Sequence, residues 1–480
     1  MTYPPNAPAA AAPGTAPARP SGGVPAQPSP LPTQPSPAPA AVPPAGRGAW
    51  DEGREWLRKA ATTEPGRLRV LGAVLALLVV AFGTVTAFEV ADRAASADDV
   101  VSRSQPLSAD AADIYRSLAD ADTAAASAFL AGAEEPPDVL KRYADDITTA
   151  SRLLVKAAAS TEGSTESARE IATLNEFLPR YTGLIERARA ANRQGLPLGG
   201  AYLRYANQQM TTELLPAAER LYEAETARLD RDEEDAREWP LLSLALGIVA
   251  LAALLWAQRR DYARTNRVFN HGLLAATAAS VIMLLWLAAG HTVARAGLSE
   301  AREHGQSSLQ VLNTARINSL KARANENLAM VSRGAVLTDD GKNDKYETDY
   351  ATGMRALTDA LARARELADD DAGRDPVSEA ADRTAEWRQR HTVVREKDDA
   401  GDFEGALARV IGSKESTGQS FDQVDAALEK ALEHEQREFT RAADGGRGAL
   451  TGLPLGAAAL GVLGAAGAIL GINRRLSEYR

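Results

Sequence analysis

Residues 240–290 read PLLSLALGIVALAALLWAQRRDYARTNRVFNHGLLAATAASVIMLLWLAAG. Two uncharged apolar runs, 240–258 and 272–290, flank a short loop holding Arg259, Arg260, Arg264 and Arg267. Each run has about the 20 residues a helix needs to cross a ~30 Å hydrocarbon core. Outward on either side lie two long, mostly polar segments, 89–238 and 291–448, and beyond them two further uncharged runs, 70–88 and 449–473. The chain is therefore two copies of one plan: membrane helix, large helical domain, membrane helix. The expected fold class is an all-α membrane protein with four transmembrane helices and two extracytoplasmic four-helix bundles in an internal duplication.

Lys and Arg near the spans set the orientation. Arg54, Arg58, Lys59, Arg67 and Arg69 precede the first span, the arginine-rich loop 259–270 joins the second and third, and Arg474, Arg475 and Arg480 follow the fourth. These ends are expected in the cytoplasm, which gives a multi-pass plasma-membrane protein with both termini inside and both long segments outside. The first apolar run begins near residue 70, too late for a cleaved signal peptide, so it reads as a signal-anchor.

Residues 1–47 are dominated by Pro and Ala and are expected to form a disordered cytoplasmic tail. Residues 48–69 form a basic, amphipathic segment in which Trp50, Trp56 and Leu57 can share one helix face. Such a helix suits the inner membrane surface, or it is simply the basic flank of the first span. Residues 474–480 form a short cytoplasmic tail.

Within 89–238, Gly and Pro cluster at 132–137, 163 and 195–200, which predicts helices over 90–131, 137–160, 165–194 and 199–238. Apolar residues recur at three- and four-residue spacing, as in Ile114, Leu118, Ala125 and Phe129, the stripe a bundle helix buries. The segment 291–448 breaks in matching places and predicts helices over 291–334, 343–369, 376–399 and 403–442. SLADADTAAASAFLAG (117–132) aligns with SLKARANENLAMVSRG (319–334), and YADDITTASRLLVKA (143–157) with YATGMRALTDALARA (350–364). An offset near 200 residues throughout is the mark of duplication.

The chain of 480 residues has a net charge of −10 and no cysteine, which excludes disulfides and thiolate chemistry. His271, His291, His304, His391 and His434 show no ligand spacing, and no metal or other cofactor is expected. Neither a P-loop, a kinase signature, a nucleophile elbow nor a His-Glu metal motif occurs, so the chain is not expected to be an enzyme. The acidic balance and the lack of a basic patch speak against nucleic acid. The spans carry no Asp, Glu, Lys or Arg, which disfavours a transporter or channel. The fourth span holds Gly456, Gly461, Gly464, Gly467 and Gly471, either for close helix packing or through the Ala/Gly bias of the whole chain.

Span, four-helix bundle, span is the plan of bacterial chemoreceptor and sensor-kinase input modules. After Asn473 only RRLSEYR follows, with no HAMP linker, methylation helix or kinase. The doubled form with a Pro/Ala-rich tail resembles a family of actinobacterial integral membrane proteins over residues 48–480, by architecture and not by any short motif. That family is linked with an extracytoplasmic amino-acid-binding lipoprotein and with the cytoplasmic Ser/Thr kinase protein kinase G. The resemblance implies a relay in which a solute-binding protein senses aspartate or glutamate and the kinase responds. The expected partners are the lipid bilayer, that solute-binding protein and that kinase, and a homodimer is compatible with the plan. The cytoplasmic contacts singled out are Trp50, Trp56, Arg259, Arg260, Arg264 and Arg267; ligand-binding residues stay unassigned. An envelope or division scaffold, or a direct small-ligand receptor of the chemoreceptor type, remain the alternatives.

Overall fold

A computed structural model describes residues 64–132, 135–160, 164–265, 270–412 and 414–477, all within one compact unit, Lys59–Arg480. The first repeat opens with α1 (Glu64–Asp99), which runs through a π-helical turn at Val100–Ser104 into α2 (Gln105–Leu130). Then come α3 (Pro137–Ser160), α4 (Thr165–Arg193), α5 (Leu198–Gln209), a second π-helical turn at Met210–Leu214, α6 (Leu215–Arg237) and α7 (Leu241–Thr265). The second repeat is α8 (His271–Glu300), a π-helical turn at Ala301–Gln306, α9 (Ser307–Ser332), α10 (Lys345–Leu367), α11 (Asp371–Asp399), α12 (Phe403–Ile411), α13 (Thr417–Leu450) and α14 (Leu453–Ser477). Among the described residues there is no β-strand, only an isolated bridge between Leu337 and Asp344.

The duplication is visible in three dimensions. α2 and α9 are both 26 residues long, and α4 and α11 both 29. The turns after them match as well. Gly132 and Gly334 have φ of 77° and 73°, and Gly195 and Gly401 of 67° and 79°. These left-handed turns need a residue without a Cβ, so the sequence had to keep glycine at both copies.

Two helix boundaries differ from expectation. The helix expected from 376 starts at Asp371, because the Asp370 carboxylate accepts from Gly373 N at 2.7 Å and caps it. The helix expected over 403–442 is two helices: α13 starts anew where Ser416 Oγ accepts from Gln419 N at 3.0 Å, and it continues to Leu450. A turn at Gly452, φ 82°, then separates α13 from α14.

Four helical runs, Gly66–Leu130, Leu198–Ala263, His271–Ser332 and Thr417–Arg474, are long and apolar enough to cross a membrane. α1, α7, α8 and α14 carry their apolar stretches. Side chains such as Leu77, Ile248, Leu285 and Leu455 point outward from them, as a lipid-facing surface requires. The glycines of α14 are contact points. A Cβ on Gly461 would lie 3.0 Å from Gly83 Cα, and one on Gly467 would lie 3.0 Å from Gly272 O. One on Gly456 would collide with the Trp286 ring. α14 is thereby seated between α1 and α8, with backbones close enough for van der Waals attraction to hold helices together in lipid.

Beyond the spans the repeats are not separate bodies. α1, α6, α8 and α13 draw together into a stalk around Val100, Leu229, Ala301, Phe439 and Ala443. Above it one continuous apolar core runs through both bundles, with Tyr115, Tyr181 and Trp387 among its largest side chains. α2 and α9 form the shared wall. Thr123 Oγ1 donates to Leu320 O at 3.3 Å, and Asn327 Nδ2 to Ser127 Oγ at 2.8 Å.

Candidate functional site

Where α5 and α6 of the first repeat face α9 and α10 of the second, they leave an open groove of about 880 Å³. That is within the range of small-molecule sites. Tyr115 forms part of its floor. It is 2% exposed, and its hydroxyl has no hydrogen-bond partner. Burial, then the nearby Glu219, hold its pKa above the usual tyrosine value, so the hydroxyl is a neutral donor. Lys321 Nζ lies 5.6 Å from the Tyr115 ring centroid. Arg204 and Lys321 line the groove and make no ion pair among the described residues, whereas Lys345 is paired with Asp349. Asn207, Gln208, Asn318 and Asn325 add amide groups. Thr211 and Thr212 come from the π-helical turn of the fourth bundle helix, a local widening that often marks functional positions.

The opposite face of the tandem has the equivalent helices in exchanged repeats, and it is closed. Arg142 on α3 donates from both terminal nitrogens to Asp422 Oδ1 on α13, each at 3.2 Å. Arg316 makes a two-pronged contact with Asp425, at 2.7 and 3.0 Å. Asp146 is hydrogen-bonded to Asp120, and burial first, then Asp120, raise its pKa, so this pair holds a proton near neutrality. In the alignment of the repeats Asp146 and Asp120 correspond to Gly353 and Ala322. There a Cβ on Gly353 would sit 3.3 Å from Ala322 Cβ.

Each bundle also holds a buried polar group of its own. In the first, Asp122 accepts from Asn207 Nδ2 at 2.8 Å and Tyr181 OH at 3.1 Å. Burial outweighs these bonds and pushes its carboxyl up to about 6. In the second, Glu326 lies between Arg323 Nη1, 2.6 Å away, and His391 Nδ1, 2.8 Å away. His391 Nε2 reaches Glu347 at 2.9 Å, and Trp387 Nε1 points to Glu326 at 3.3 Å. Burial would lower the His391 pKa, but the two carboxylates overcome it and push it up to about 9. His391 and His291 are buried. His434 departs from expectation, because folding brings Asp370 to the His434–Glu438 pair, 3.2 and 3.7 Å from Nε2. Such sequence-distant partners carry no spacing signal.

The groove connects mechanically to the membrane. α6 ends at Arg237, and the chain turns at Trp239-Pro240 into α7. That turn is gripped from the neighbouring helices. Arg93 donates to Glu238 O at 2.8 Å and to Trp239 O at 3.2 Å, and Arg295 to Arg237 O at 3.0 Å. His291 packs on the Trp239 ring at 4.8 Å.

The residues singled out from sequence lie elsewhere. Arg259 and Arg260 sit at the end of α7, with the Arg260 guanidinium 5.3 Å from the Trp256 ring centroid. Arg264 belongs to the last turn of α7, while Trp50, Trp56 and Arg267 lie outside the described residues. None of the groove residues was foreseen as a site. Tyr115 and Asn207 fall on buried stripes that read as core, and only the pairing of repeats gives them an opening.

Comparisons with curated proteins and with solved structures gave no match. Residues 96–234 match the family model described as actinobacterial sensor domain. The matched stretch contains all of α2 to α5, most of α6 and the upper part of the stalk. The first repeat is thus similar to an actinobacterial sensor domain, which points to a sensing or signalling role for this multi-pass membrane protein.

Proposed function

We propose that this protein is a transmembrane signal relay that carries out no chemistry of its own. It passes an extracytoplasmic amino-acid signal, received through a solute-binding protein, to a cytoplasmic Ser/Thr kinase of the protein kinase G type. Both bundles stand outside, and both termini and the loop 259–270 lie in the cytoplasm, as the basic flanks of the spans favour. The observation that carries the reading is helix continuity. Gly66–Leu130 is one helical run of 65 residues, joining the stretch similar to a sensor domain to a membrane span. A helix shift of about 1–2 Å at the bundle would therefore reach the cytoplasmic end. The polar groove favours a second reading, direct reception of a small ligand.

The chain has no cysteine, so single labels can be placed freely. Spin labels at Arg259→Cys and Leu470→Cys, in full-length protein in nanodiscs, would report the distance between the inner ends of α7 and α14. The relay predicts that amino-acid-loaded binding protein changes this distance and the retention of the kinase, while the empty binding protein does not. An unchanged distance and constitutive complexes would make the protein a scaffold.

A further inference from the structure

We infer that the open groove between the repeats is a binding site for a small organic carboxylate, and that each chain takes one such ligand because the equivalent face lacks the phenol and the ammonium and is bridged by Arg142 and Asp422. The inference rests on the sensing role proposed above and adds the ligand class and the stoichiometry.

Three observations point to a ligand. The Tyr115 hydroxyl is buried without a partner, and Tyr115 lines the groove. A buried donor left unmade is costly, and a ligand acceptor would satisfy it. The Lys321 ammonium lies 5.6 Å from the Tyr115 ring centroid, and the Arg204 guanidinium and the Glu219 carboxylate line the same groove; neither cation makes an ion pair among the described residues. Two cations without an ion pair among the described residues, together with a neutral phenol, supply the donors that a carboxylate accepts from. The amides of Asn207 and Asn325 supply further donors and acceptors for a polar ligand body.

The stoichiometry follows from the divergence of the repeats. On the closed face Ala119 stands where the open face has Lys321, and Ile317 where it has Tyr115. The cation and the phenol are both missing there, and the Arg142–Asp422 contact bridges the gap. A duplicated sensor thus retains one working site out of two.

The test is calorimetry on the full-length protein in nanodiscs with acetate, succinate, citrate and the proteinogenic amino acids, each at millimolar concentration. At least one of them is expected to bind, with one site per chain. Lys321→Met keeps the stem and removes the charge, and it should weaken that binding about tenfold or more. Tyr115→Phe should weaken it several-fold while leaving the melting temperature of the free protein unchanged or higher, since its hydroxyl has no partner to lose. The inference falls if no compound binds, if two sites per chain are found, or if both variants bind as the parent does. The two readings fail separately. No binding, with a spin-label response to the loaded binding protein, removes the groove ligand and keeps the relay. Binding with no movement at the inner ends keeps the groove and removes the relay.

Discussion

The two repeats share helix lengths and turn glycines, yet they differ where it matters. The fourth bundle helix of the first repeat passes through Met210–Leu214 as a π-helical turn, while that of the second is cut between Ile411 and Thr417. The first bundle centres on Asp122, a carboxyl whose pKa burial raises, and the second on an ionised cluster of Glu326, Arg323 and His391. One face between them is open and the other bridged by ions. In a dimer of identical chains every change would appear on both faces. Fusion into one chain lets each copy vary alone, so one face can specialise for recognition and the other for cohesion.

The largest test of this comparison is Glu326→Ala. It leaves Arg323 and His391 buried without their shared partner and should cost about 3–5 kcal/mol. Unfolding in detergent, followed by the emission of Trp387, would register it in the second bundle. Survival of the parent melting temperature would show that the cluster is not structural.

A pH titration separates the bundles next. His391 is raised from 6.5 to about 9, so its contribution is full below 6.5 and is lost as pH climbs through 9. The loss is on the order of 3 kcal/mol. Asp122 is raised from 3.8 to about 6, so its contribution is full below 3.8 and disappears as pH rises through 6. Asp146, pushed up to about 8, loses its contribution as pH rises to that value, so only the loss above about pH 8 should fall mainly on the second bundle, and His391→Asn should flatten that part. An unchanged alkaline limb in that variant would assign the loss to other groups.

Gly461→Leu comes third. Its side chain would be driven against the Gly83 backbone, costing about 1–3 kcal/mol through overpacking and wedging α14 away from α1. Gly445→Ala, where a Cβ meets nothing within 4 Å, is the control. Equal melting temperatures for the two variants would remove the packing role of the α14 glycines. The smallest effect is expected from Arg142→Ala. Its bond to Asp422 is half exposed, with side chains 45% and 54% accessible, and should be worth less than about 1 kcal/mol. A larger loss would mean that the closed face holds the tandem together more firmly than its exposure implies.

Much of the fold was legible in one dimension. The spans lack charge over a bilayer's thickness, and α3 occupies the expected 137–160. Glycine and proline punctuate both halves alike, and local rules suffice there. The π-helical turns were not legible. Val100–Ser104 (VVSRS) and Ala301–Gln306 (AREHGQ) share no residue at matching positions, and the extra residue per turn answers to packing in the stalk. Nor was the role of the α14 glycines decided by their spacing, since an Ala/Gly-rich chain produces such patterns by composition.

What the sequence determined by itself is the four spans, the doubled plan and most of the helix ends, because hydropathy, charge and backbone freedom act within a few residues. The tertiary structure decided which buried stripes meet across repeats. Periodicity gives each helix an apolar face but not its neighbour, its rotation or its height. Only the packing of α2 on α9 placed Tyr115 beside Lys321 at an opening, and only the approach of α3 to α13 set Arg142 against Asp422 to close the other side.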